Sequence, residues 1–78
     1  ARVMALEVAL NRAEEYRLLG ARQAATLPRS VTFGPHQWQL EITEATTRAG
    51  FTEATIIARA PDQPGARLVV IAQTEVVR

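Results

Sequence analysis

The apolar residues of this chain change their spacing once, on either side of Pro28. Before it, in RVMALEVALNRAEEYRLLGAR, they recur with the period of a helix; after it, in HQWQLEIT, they alternate strictly. Pro28 pushes Leu27 out of the helical region and so separates the two regimes. One helix followed only by strands restricts the chain to a segregated α+β architecture.

Placed at 100° steps, Val3, Ala5, Leu6, Ala9, Leu10, Ala13 and Tyr16 share one broad arc, predicted to face a sheet. Glu7, Asn11, Arg12, Glu14 and Glu15 take most of the opposite side. The helix is predicted from Val3 to Leu19, about 25 Å long. Gly20 is its expected C-cap, and Ala21-Arg22-Gln23-Ala24-Ala25 has the propensity for one further turn.

In the strands, His36, Trp38, Leu40 and Ile42 share one face, and Gln37, Gln39, Glu41 and Thr43 the other. A turn at Arg48-Ala49-Gly50 leads into FTEATIIARA, and the turn formers of PDQPG lead into a last strand predicted from Ala66 to Val77. There Leu68, Val70 and Ala72 share one face and Val69, Ile71 and Val77 the other. Val31-Thr32-Phe33 fits a short preceding edge. The prediction is an N-terminal α-helix packed on a small antiparallel meander of three to four strands. It forms one domain over residues 1–78, with the helix in 1–20 and the sheet in 31–78.

A chain of 78 residues buries roughly 60% of its unfolded surface, so the core is thin. Without cysteine no disulfide or thiolate metal site reinforces it. Its nine basic residues are all arginine, spread from Arg2 to Arg78 against eight acidic ones. That is not the clustered footprint of a nucleic-acid binder. No window approaches the roughly 20 apolar residues of a membrane span, and no signal peptide is evident.

Chemistry is sparse. His36 is the only histidine, without the partners that catalysis or metal binding by histidine needs. Glu7, Glu14 and Glu15 suit a solvated helix face, with Glu14 and Arg17 spaced to pair. Gly20, Gly34, Gly50 and Gly65 are too far apart for a phosphate-cradling loop. Trp38 alternates with Leu40 and Ile42 as a core residue does. No catalytic, cofactor-binding or metal-binding residue is assigned, and an enzyme is not expected. Spare apolar surface is expected at Met4 and Val8, near Leu19 in projection, and at Val69 and Ile71. Such surface suits a protein partner.

Ala5-Leu6, Val8-Ala9, Asn11, Glu15 and Arg17-Leu18, then Gly34 shortly before a strand bearing Trp38, then an apolar last strand, together resemble the minor pseudopilin I of bacterial type II secretion systems. The resemblance covers nearly the whole chain. It implies a structural subunit that joins the J and K subunits, with H as a further candidate, at the pseudopilus tip and so promotes protein export. It also implies a periplasmic domain anchored in the inner membrane through an upstream helix bearing a prepilin-peptidase site. The uncapped apolar turn Val3-Met4-Ala5-Leu6 and the initial alanine are what removal of that membrane half would leave. Glu7 and Leu10 stand where the family would place an aromatic and an acidic residue, which keeps the H and J subunits and related minor pilins open.

On this basis Val3, Met4, Val8 and Leu10 are the expected partner contacts, flanked by Arg12 and Glu15. Val8→Glu is then expected to leave folding nearly intact and weaken assembly. The rival is a small ligand- or nucleic-acid-binding domain using Trp38 and scattered arginines, with salt-sensitive binding. A third alternative, an enzyme or enzyme regulator, would require His36.

Overall fold

The computed structural model describes residues 2–76, and the side chains from Met4 to Val76. Helix α1 spans Arg2–Leu19 and a single turn, α2, spans Ala21–Ala24. Four strands follow: β1 (Ser30–Phe33), β2 (His36–Thr46), β3 (Thr52–Arg59) and β4 (Ala66–Ala72). They form one antiparallel meander in the order β1-β2-β3-β4. The predicted α+β architecture is observed, with four strands and α1 laid mainly over β4 and β3. Among the described residues no helix is long and apolar enough to cross a membrane.

The alternation read from the sequences of HQWQLEIT in β2 and of β4 holds in the structure. Trp38 and Leu40 are buried beside the half-buried His36 and Ile42, whereas the intervening glutamines and Glu41 are exposed. Val70 and Ala72 point inward while Val69 and Ile71 face solvent. The last strand is shorter than predicted, and Val77 lies outside the described residues. It ends at Ala72 because the next two carbonyls serve the helical corner: Ala21 N donates to Gln73 O and Arg22 N to Thr74 O, each at 2.8 Å.

Gly20 makes that corner. Its φ of 84° and ψ of 157° fall in a region essentially reserved for glycine. A Cβ there would stand 3.0 Å from Val76 N and 3.1 Å from Glu75 Cα. Gly20→Ala should therefore cost about 2 kcal/mol or more, lowering Tm by roughly 10 °C in a domain this small. Gly50 also has a positive φ, 87°, but a Cβ there meets nothing within 4 Å. Thermal unfolding of Gly20→Ala beside Gly50→Ala separates the backbone clash from the conformational penalty alone.

The interface between helix and sheet is built from small residues. Ala5, Ala9 and Ala13 lie against a sheet face carrying Ala54, Ala58 and Ala72, and all six are buried. Alanines on both sides let the two layers approach closely, so bulk is concentrated in the fully buried Trp38, Tyr16 and Ile56. Tyr16 donates its hydroxyl hydrogen to Glu44 Oε2 at 2.6 Å, tying α1 to β2. Burial, then this bond and the charge of Glu44, push the phenol well above its ordinary pKa. The raised value means its contribution to stability is complete below the ordinary tyrosine pKa and declines as the pH climbs past it.

Candidate functional site

The side chains around α1 settle which of its surfaces is free. The buried arc is Ala5, Val8, Ala9, Arg12, Ala13 and Tyr16, turned from the predicted arc toward Val8 and Arg12. Val8 is only 3% exposed and Arg12 only 4%, so neither is the outer contact the sequence suggested. Met4 is half-buried against the core, its sulfur 3.5 Å from where a Cβ on Gly34 would stand. Of the six expected contacts, Leu10 is exposed at 45% and Glu15 is half-exposed but held by Arg12. The side chain of Val3 lies outside the described residues. Leu6, predicted to fill the core, is instead 41% exposed.

The reason is steric and electrostatic. The alanine-lined interface has no room for Leu6 or Leu10. Arg12 buries its aliphatic stem, as long basic side chains do, and anchors its head at 2.6 Å from Glu15 Oε1 through Nε and at 2.7 Å from Pro28 O through Nη2. The outer face of α1 therefore carries Leu6 and Leu10, one turn apart, with Leu18 (65% exposed) further along. Glu14 and Arg17, the pair predicted at i,i+3, lie on this side at 2.8 Å. A second apolar patch lies on the far side of the sheet, where Phe51, Val69 and Ile71 are exposed, the last two as expected.

On the opposite flank of α1 a cleft of about 190 Å³ opens between the helix and β1. Val8, Asn11, Arg12 and Glu15 form one wall, Val31, Thr32 and Phe33 the other, with Leu40 between them. Sequence reasoning had no local signal for it, because Arg12 and Pro28 meet across 16 residues.

Trp38 and His36, the two residues singled out for chemistry, meet inside the fold. Trp38 has no exposed surface and its Nε1 donates to Phe33 O at 3.3 Å. It offers no face on which a base or ring could stack. His36 packs edge-on against it, with ring centroids 6.1 Å apart. Among the described residues no three of His, Asp and Glu gather as metal ligands would. Comparison with protein-family models, with curated proteins and with solved structures finds no match for this chain.

Proposed function

We propose that this chain is the globular part of a minor pseudopilin, the I subunit of a bacterial type II secretion system. In this role it assembles with the J and K subunits to start the pseudopilus and promote protein export. The observation that carries the reading is the outer face of α1. A helix fixed to an antiparallel meander through alanines keeps Leu6, Leu10 and Leu18 available for another helix. The family's helix continues upstream into the inner membrane, which would place this domain in the periplasm and align its outer face with neighbouring helices.

Leu6 and Leu10 each have nearly half their surface left to bury, about 1 kcal/mol apiece on association. Leu10 therefore stays in the contact, while Met4, Val8 and Arg12 give way to Leu6 and Leu18, with Glu14 and Arg17 flanking. The test is light scattering of this domain mixed with the soluble domains of its system's J and K pseudopilins. A stable heteromer is expected. Leu10→Glu should weaken it about tenfold, the equivalent of 1.4 kcal/mol, while Tm stays nearly unchanged, as for most surface substitutions. Three folded proteins that remain separate well above micromolar concentration would overturn the assignment.

A further inference from the structure

Arg12 carries more hydrogen-bonding capacity than the fold uses. Its Nε and Nη2 are bonded to Glu15 and Pro28, but buried Nη1 meets no acceptor among the described residues. A guanidinium withdrawn from water needs acceptors for its hydrogens and a counter-charge. Glu15 supplies the only carboxylate lining the cleft, and with 44% of its side chain exposed it shares that charge with solvent. Tying α1 to Pro28 explains Nη2, and the pair with Glu15 explains Nε. They leave Nη1, in a residue that lines the cleft, without an explanation.

The other wall of the cleft is a sheet edge. In an antiparallel ladder, successive residues turn their main-chain groups alternately toward and away from the partner strand. Leu40 N donates to Arg29 O at 2.7 Å, so Arg29, Val31 and Phe33 turn toward β2. Ser30 and Thr32 consequently direct their N–H and C=O groups to the free side of β1, an edge able to template a further strand. Val31 and Phe33 are half-buried on the helix side. A strand added along this edge would send alternate side chains into the cleft, over Val8 and Leu40 and toward Arg12.

We propose that the cleft between α1 and β1 is a docking site for an extended acidic peptide segment of a partner protein. The segment adds to β1 as a fifth strand and places an Asp or Glu carboxylate beside Arg12, whose guanidinium turns to bring the buried Nη1 to it as the segment enters. The charge complementarity is that of a buried cation with one solvent-shared carboxylate. This inference does not rest on the pseudopilin reading, because the cleft lies on the flank of α1 away from Leu6 and Leu10.

The probe is a set of acetylated, amidated hexapeptides of alternating valine and threonine, with one glutamate moved through the six positions. Binding is read by fluorescence anisotropy and by amide chemical shifts. At least one register should bind saturably and shift the amides of Ser30 and Thr32, and its glutamine analogue should bind at least tenfold more weakly. Arg12→Gln should abolish the preference for glutamate. Thr32→Pro gives an independent test, since it removes an N–H that the fold does not use and proline is tolerated on edge strands. It should fold normally and lose binding. No saturable binding at millimolar peptide in any register, equal binding of the glutamine analogue, or undiminished binding by folded Thr32→Pro would each overturn the proposal.

Discussion

Trp38→Ala is expected to leave the domain largely unfolded at 37 °C. Trp38 is the bulkiest of the fully buried side chains, packed opposite Val31 of β1 and against the ring of His36. Removing a buried aromatic side chain costs about 3–5 kcal/mol, the lost transfer energy plus that of the cavity left behind. A small domain begins with stability near the lower end of about 5–15 kcal/mol, so this one substitution removes most of it. Tm should fall by roughly 20 °C or more. Trp38→Phe refills most of the volume but leaves Phe33 O without the indole donor, and should cost only about 1–2 kcal/mol. Trp38 is the only tryptophan, so unfolding is best followed by circular dichroism. A ligand-stacking tryptophan would give the opposite result, a folded Trp38→Ala protein that had lost binding.

The sheet was far more legible in the sequence than the orientation of the helix. Strict alternation marked the core faces of β2 and β4. Pro28, Gly20 and the PDQPG turn marked where elements stop, and β1 followed from the three residues Val31-Thr32-Phe33. The rotation of α1 was misread because Leu6 and Leu10 were counted with the core for their apolarity. Leu6 and Leu10 weigh more than alanine on any hydropathy scale, but alanines four residues apart mark where two layers approach most closely. The matching signal was present in Ala54-Thr55-Ile56-Ile57-Ala58, where two alanines flank Ile56 on the inner face of β3. Arg12 misled in the reverse direction, since its charge suggested solvent while its stem packs inside. Its anchor at Pro28 is a long-range contact with no local counterpart. The cleft beside it was equally invisible, because it exists only once a helix flank and a strand edge are brought together.

Val8→Lys and Leu10→Lys should differ sharply, although the two residues lie half a turn apart on the same helix. The sequence arc places Val8 outside and Leu10 at the margin of the core, predicting the reverse. In the structure Val8 is buried within the helix–sheet core while Leu10 is exposed. Lysine at position 8 removes a buried valine and puts a second cation beside Arg12, a loss of about 3 kcal/mol. Lysine at position 10 extends into solvent from a helix that accommodates it as readily as leucine, and should change stability by no more than about 0.5 kcal/mol. Glutamate is a weaker probe at position 8 because it stands one helical turn before Arg12, where its carboxylate can lean on the guanidinium and recover part of the cost. For that reason Val8→Glu should destabilise less than Val8→Lys, yet still well beyond the near-neutral outcome expected from sequence. Urea unfolding of the three variants orders them directly. Equal midpoints for Val8→Lys and Leu10→Lys would mean that α1 is rotated from its described orientation, and both the outer leucine face and the Arg12 cleft would then have to be reassigned.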